Sequence, residues 1–314
     1  MNYIDLHCDT LTACADGKKE LIDCNLQTDV LKLKKSGCAA QCFAIFTNGS
    51  DSKAKFGEYL SFYNSALSKH GDFLFPVTRF SHLAKAQAQN KIGSMLTVEN
   101  LGFTDGNSDE IQKLKNNGVI MASLVWNDKN ACAQPNLVFE NGLPRFDKNN
   151  ENGLTERGKA AAELLDELKI IIDISHLSDG GVSDLLENRK IPLVASHSNA
   201  RAVCPVSRNL TDAQIKKIAD CGGVVGVNFC PDFIGDKDIY SGVYAHISHI
   251  INTGGQDCVA LGSDFDGIPA PENLEDCTKM PQLFSYLSRR GIKDVILEKL
   301  AFSNFARVFS EINP

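Results

Sequence analysis

Two rhythms alternate along this chain. Short apolar runs rich in Ile, Val, Ala and Cys give way to longer stretches whose apolar residues recur at helical spacing. Residues 3–8 (YIDLHC) are the first strand-like run. Thr28-Asp29 then caps an amphipathic stretch over 30–35 that ends at Gly37. Residues 38–46, CAAQCFAIF, read as a second buried strand, followed by a helix over 52–69. A short run at 73–77 and a helical 80–89 lead to a third strand at 93–99. A helix over 108–116, bounded by Gly118, precedes a fourth strand at 119–125. Residues 127–153 are rich in Asn, Gly, Pro and Asp and read as a long loop. A structureless stretch beyond about 15 residues in a compact domain is usually functional, for instance a lid. Thr155 opens a helix with Ala160, Leu164, Leu165 and Leu168 on one face. The isoleucine run around Asp173, residues 170–174, suits a strand covered on both faces. After it the pattern predicts a helix at 179–188 and a strand at 192–196. A Thr211-capped helix to 221, a strand at 223–228, a helix at 239–253 and a strand at 259–263 follow. Helices at 279–290, 292–300 and 302–310 finish the chain.

Eight strands alternating with helices predict an α/β fold: one (β/α)₈ barrel of the TIM type over residues 1–314, with extra C-terminal helices. A doubly wound open sheet is the competing arrangement, and no G-x-G-x-x-G follows any strand. Net charge is −7 and no basic tract of five residues occurs, which argues against nucleic acid as a partner. No uninterrupted apolar run reaches the ~18 residues of a membrane span. The first ten residues are already strand-like and lack the basic-then-apolar pattern of a signal peptide, so a soluble cytoplasmic protein is expected. The 11 cysteines form no C-x-x-C pair and read as small buried thiols rather than zinc ligands.

Barrel sites lie at the C-terminal ends of the strands. Strand one ends with His7 and Asp9, strand three with Glu99, strand five with His176, strand six with His197 and strand eight with Asp264. A lone histidine or carboxylate at a strand end is usually a hydrogen-bonding or capping group. Here five of eight ends carry metal-type groups and account for three of the seven histidines, while His70, His82, His246 and His249 fall on helical stretches. Residues i and i+2 of a strand face the same way, so His7 and Asp9 form a two-ligand pincer. One four-coordinate zinc needs three protein ligands, fewer than are present. Two metals about 3.5–4 Å apart use them all: His7 and Asp9 on one, His176 and His197 on the other, Glu99 bridging. Mixed imidazole and carboxylate ligands suit zinc best, with manganese, cobalt or iron as alternatives. A bridging water ionises near neutral pH between such ions, and Asp264 is placed to shuttle its proton to a leaving amine. Hydrolysis of an amide or ester follows. Asp266 and Gly267 read as turn chemistry.

These residues resemble the membrane (renal) dipeptidase family of zinc peptidases, within the amidohydrolase superfamily. The resemblance spans essentially the whole chain. It rests on Asp5-Leu6-His7-Cys8-Asp9-Thr10, Thr97-Val98-Glu99-Asn100, Ile172-Asp173-Ile174-Ser175-His176, Ser196-His197-Ser198-Asn199-Ala200-Arg201, Arg208-Asn209-Leu210-Thr211-Asp212 and Gly262-Ser263-Asp264-Phe265-Asp266-Gly267. It implies two Zn²⁺ per chain and a dipeptide substrate, with a D-residue tolerated at the C-terminal position. Many amidohydrolases bridge their metals with a carboxylated lysine; the dipeptidases use a glutamate, here Glu99. Arg208 matches the substrate-binding arginine, whose guanidinium can clamp a terminal carboxylate with two hydrogen bonds. Arg201 is assigned to structure. Trp126 departs from the family, standing where the animal enzymes carry a substrate-binding histidine; its indole donates one hydrogen bond and cannot become cationic. The resemblance therefore predicts a binuclear-zinc dipeptidase, with hydrolysis of another small amide, such as an N-acyl amino acid, as the alternative. A barrel that binds ligand without catalysis is the reading from a different class. Family members are often homodimers, on which this sequence is silent.

Overall fold

The computed structural model describes residues 1–187 and 189–314. Eight parallel strands form the ring: β1 Tyr3–Cys8, β2 Cys38–Phe46, β3 Ile92–Glu99, β4 Val119–Ser123, β5 Ile171–Asp173, β6 Val194–Ala195, β7 Val224–Val227 and β8 Val259–Leu261. Each pairs with the next in chain order, as a barrel requires. Between β8 and β1 the ring closes through a single bridge, Cys8 to Phe265. There the Asp9 N–H donates to the Phe265 carbonyl at 2.9 Å and the Asp264 N–H to the His7 carbonyl at 3.2 Å. The structure is thus a nearly closed (β/α)₈ barrel, as the alternation predicts.

Strand residues split between two apolar cores. Alternate side chains such as Ile4, Leu6, Cys42, Met95, Met121, Val194 and Val224 meet inside the ring. Phe305, Val308, Phe309 and Ile312 of the C-terminal helix Asn304–Ile312 join that same cluster, so the helix plugs one end of the barrel. The other half of each strand packs outward under the helices. With one end plugged, the C-terminal strand ends are left as the open mouth. Helix starts are set locally: Asp29 accepts from the Lys32 N–H, and Thr211 with Gln214 forms a capping box. Gly37 ends its helix in the left-handed region at φ 81°, where a glycine carries no Cβ penalty.

Several elements depart from the reading of the sequence. Residues 10–16, given no element there, form a helix, Thr10–Asp16. The run at 73–77 becomes a three-residue strand, Leu74–Pro76, beside the start of β3 and outside the ring. The 127–153 loop contains an antiparallel hairpin, Val138–Glu140 with Leu143–Arg145. Its turn is Asn141-Gly142 at φ 52° and 78°, the positive angles of a two-residue hairpin turn, and this Asn-Gly pair was the signal available in the sequence. The helix expected over 179–188 is Asp179–Leu186, and Asn188 lies outside the described residues. Among the described residues no helix is long and apolar enough to cross a membrane. All 11 cysteines are buried and free.

Candidate metal centre

All six groups singled out at the strand ends converge at the open mouth. The local backbone is less regular than strand alternation suggests. His7 lies within β1, but Asp9 is already past it, at φ −96° and ψ 9°, as the N-cap of helix Thr10–Asp16. Its carboxylate makes no capping bond and turns toward His7, with Oδ2 3.5 Å from Nε2. The two side chains meet because the chain bends, not because they are i and i+2 of one strand. His176 and Asp264 likewise lie beyond β5 and β8, with φ 69° and 64°. Left-handed backbone costs a non-glycine residue about 1–2 kcal/mol, and such strain concentrates at functional sites. At both positions it turns the side chain back over the barrel.

Glu99, the last residue of β3, stands at the centre. Its Oε1 lies 2.9 Å from His176 Nε2 and 3.6 Å from His197 Nε2, while Oε2 lies 3.5 Å from His7 Nε2. Asp264 Oδ1 is 3.8 Å from His7 Nε2. Among the described residues, three ligand groups result: His7, Asp9 and Glu99; Glu99, His176 and His197; and His7, His197 and Asp264. The donor set fits divalent cations. His7 Nε2 and Asp9 Oδ1 are buried and, among the described residues, have no hydrogen-bond partner. Three carboxylates share one buried space, which demands positive charge.

The proton affinities follow from that crowding. Burial pulls the imidazole of His7 down, but the carboxylates of Glu99 and Asp9 outweigh it and leave it well above its usual range. A proton there stands where a cation would. Burial, and then the Arg208 guanidinium, lower His176 to about 4. Burial, and then His7 and Arg208, also lower His197. Both are therefore neutral near pH 7, the form that ligates metal. Burial pushes the Asp264 carboxyl up to about 7, with Asp9 and Glu99 adding to the rise.

Outer groups orient these side chains, and sequence reasoning missed them. His176 Nδ1 is 2.9 Å from Asn127 Oδ1, an oxygen that can only accept, so Nδ1 carries the proton and Nε2 faces Glu99. Asn228 donates to Asp264 Oδ2 at 2.8 Å. Asp266 has the positive φ of a turn residue, 68°, but its carboxylate serves no local turn: it accepts from the Thr10 hydroxyl and from the N–H groups of Gln27 and Thr28, far away in sequence. A Cβ on Gly267 would lie 2.2 Å from Asp9 Oδ2 and 2.6 Å from Asp264 Oδ1, so a side chain there would push both carboxylates out of place.

A cavity of about 400 Å³ opens over the centre, lined by Phe46, Trp126, Phe233, Ile268 and Pro269 as well as the polar groups. Trp126 packs edge-on to Phe46 at 4.7 Å and lies 6.0 Å from the His176 ring. Arg208 is buried under Phe233, and its Nη2 reaches His176 Nε2 at 3.1 Å and the His197 carbonyl at 3.3 Å. Its Nε and Nη1 have no partner among the described residues. Arg201 makes a bidentate ion pair with Asp179 outside the site. A larger groove, about 550 Å³, opens beside the Asp166–Arg189 ion pair; its charged rim of Lys159, Glu163 and Glu187 marks it as solvated surface.

Comparison with known proteins places this geometry. The family model for membrane dipeptidase, peptidase family M19, matches residues 1–314. A protein encoded in the pqqA 5′ region of Klebsiella pneumoniae, itself uncharacterised, is 36% identical over 231 residues, covering 71% of this chain and 84% of its own. An uncharacterised dipeptidase of Schizosaccharomyces pombe is 30% identical over 305 residues, 90% of this chain and 72% of its own. Among solved structures, a dipeptidase of the same family superposes with a TM-score of 0.90 at 24% identity, covering 98% of both chains. A Rhodobacter sphaeroides metallopeptidase, solved with a phosphinate mimic of the dipeptide L-Ala-D-Ala, gives 0.88 at 24% identity, again covering 98% of both. The chain is a hydrolase of the metallopeptidase class and belongs to the membrane dipeptidase family, peptidase family M19.

Proposed function

We infer that this protein hydrolyses dipeptides at a pair of divalent cations, with zinc favoured by the mixed imidazole and carboxylate donors. The observation that carries this reading is the division of Glu99, one oxygen toward His176 and His197 and the other toward His7. His7 and Asp9 would hold one cation, His176 and His197 the other, and Glu99 both. Bound there, the cations would make water acidic enough to ionise near neutral pH and polarise the scissile carbonyl.

The remaining work falls to side chains. Asp264 takes the proton from the attacking water and returns it to the leaving amine, held in place by Asn228. Arg208, buried and with Nε and Nη1 unpartnered, receives the substrate's terminal carboxylate in a bidentate pair. That contact selects short peptides with a free C-terminus. Trp126 and Phe46 form an apolar wall beside His176 in place of the animal enzymes' imidazole, where they bury substrate side chain and keep water out. The ligand of the Rhodobacter sphaeroides structure supports including C-terminal D-residues among the substrates.

Metal content by elemental analysis, with turnover measured before chelation, after it and after metal return, tests the reading. The substrate panel pairs L,L- and L,D-dipeptides with N-acetyl amino acids. Two equivalents of metal and recovery of dipeptide hydrolysis on reloading are expected. Full activity after chelation would overturn the metal reading; turnover of the acylated compounds alone would overturn the dipeptide reading.

A further inference from the structure

We propose that Asp173 is a positioning residue for the metal centre, acting through the hydroxyl of Ser196 to fix the tautomer and ring of His197. Asp173 ends β5, is buried, and interrupts a run of isoleucines. Such a carboxylate is costly to bury unless every lone pair has a donor. Its partners are all donors. The N–H groups of Ser175 and Ser196 donate to Oδ1, each at 2.9 Å, and the Ser196 hydroxyl donates to Oδ2 at 2.5 Å.

The direction of that last bond decides the rest. A hydroxyl has one proton, and Ser196 spends it on Asp173. Ser196 Oγ also lies 2.7 Å from His197 Nδ1. There it acts only as an acceptor, so Nδ1 carries the hydrogen. The bare Nε2 then faces Glu99 Oε1 at 3.6 Å and His176 Nε2 at 3.0 Å. The Ser175 hydroxyl accepts the His197 backbone N–H at 3.0 Å and fixes the same residue from the other side. Negative charge is thereby relayed through one hydroxyl to the imidazole, which raises the basicity of Nε2 toward a cation. His176 is backed differently, by the neutral amide of Asn127. The two histidines of one ligand set therefore differ in donor strength, with His197 the stronger.

The arrangement is built twice. Asp5 in β1 grips Ser263 after β8, taking its N–H at 2.8 Å and its hydroxyl at 2.6 Å. Ser263 precedes Asp264 as Ser196 precedes His197. In both cases a buried carboxylate on one strand holds the serine that stands just past the neighbouring strand and before a site residue. Only at Ser196 does the hydroxyl continue to an imidazole, and there it acts on electronics as well as on position.

This inference rests on the metal reading for its consequence but not for its geometry, and the test separates the two. In metal-free wild-type protein, long-range ¹H–¹⁵N spectra of the imidazoles should show His197 with hydrogen on Nδ1 and an unprotonated Nε2. Ser196→Ala should lose that single tautomer. Chelator competition on the same variant should show one of two ions weakened by about 10- to 100-fold, with the other unchanged. Ser196→Thr, which keeps the hydroxyl, should restore both readouts. Should Ser196→Ala not fold, Ser196→Cys keeps the shape while weakening the relay and gives the same comparison. A wild-type His197 carrying hydrogen on Nε2, or a Ser196→Ala protein with both affinities intact, would overturn the proposal. A wild-type protein that binds no divalent cation would instead sink the metal reading, leaving the tautomer to be judged on the spectra.

Discussion

Arg208 offers the sharpest test of what the site recognises. Arg208 is 3% exposed, yet among the described residues its Nε and Nη1 have no partner while Nη2 is engaged. Burial works against the cation and lowers its proton affinity, with Asp264 and Glu99 opposing that fall. A buried donor without a partner costs about 1–3 kcal/mol, so the empty site is less stable than it need be. A substrate carboxylate would satisfy both groups at once. Each charge-assisted hydrogen bond contributes about 1.5–3 kcal/mol, so a bidentate pair supplies about 3–6 kcal/mol, or roughly 10²–10⁴ in kcat/KM at 1.36 kcal/mol per factor of ten. Arg208→Met removes the charge while keeping most of the volume. We expect kcat/KM for a free dipeptide to fall by that factor. The corresponding dipeptide amide, which cannot form the ion pair, should change by less than about tenfold. The same substitution should raise resistance to urea in the absence of substrate, because it deletes unpaired buried donors. Parallel kinetics on the acid and the amide, with urea unfolding of both proteins, check the argument. Equal losses on the two substrates, or a destabilised variant, would show that Arg208 holds the site together rather than reading the carboxylate.

Three further outcomes follow from the geometry. Asp264→Asn should retain both metals by elemental analysis and lose about 10²–10⁴ in kcat, the range for a positioned acid–base group; undiminished turnover would remove it from the reaction. Gly267→Ala places a methyl against the carboxylates of Asp9 and Asp264, so metal affinity should drop sharply with little loss in thermal stability; unchanged metal content would refute the steric reading. His246 is buried on helix Ile239–Gly254, where it accepts from the Ala200 N–H and bonds the Ile234 carbonyl. Burial lowers it from 6.5 to about 4, so the unfolded chain takes up the proton first. Its contribution to stability is whole above pH 6.5 and is lost as pH falls through about 4, a change of about 3 kcal/mol. Urea titrations of wild type and His246→Gln between pH 7 and 4 should diverge by that amount, and parallel curves would contradict it.

What the sequence conveyed, and what it withheld, divides along a physical line. The bounds of β1 and β2 are legible because every residue of the one and nearly every residue of the other is buried, so the apolar run and the strand coincide. The metal-type residues are legible because imidazoles and carboxylates are rare at the ends of such runs. Helix Thr10–Asp16 is not, because Asp9, the residue that would announce it, gives its carboxylate to the site and makes no cap bond. One residue cannot send both signals, and here the site has taken the one that local structure needed. Asn127 and Asn228 escaped for a different reason. An asparagine's partner is decided by which loop folds over it, and nothing local distinguishes one that orients His176 or Asp264 from one in a turn. Asp173 is the intermediate case. A charge inside five isoleucine-rich positions contradicts its own surroundings, and that contradiction was visible without coordinates. Where a residue breaks the local pattern, burial must be compensated by partners, and the partners it recruits here are the N–H groups of Ser175 and Ser196 and the Ser196 hydroxyl. The supporting shell of this site is therefore best sought in sequence not among residues that look catalytic, but among polar residues that a buried strand has no other reason to contain.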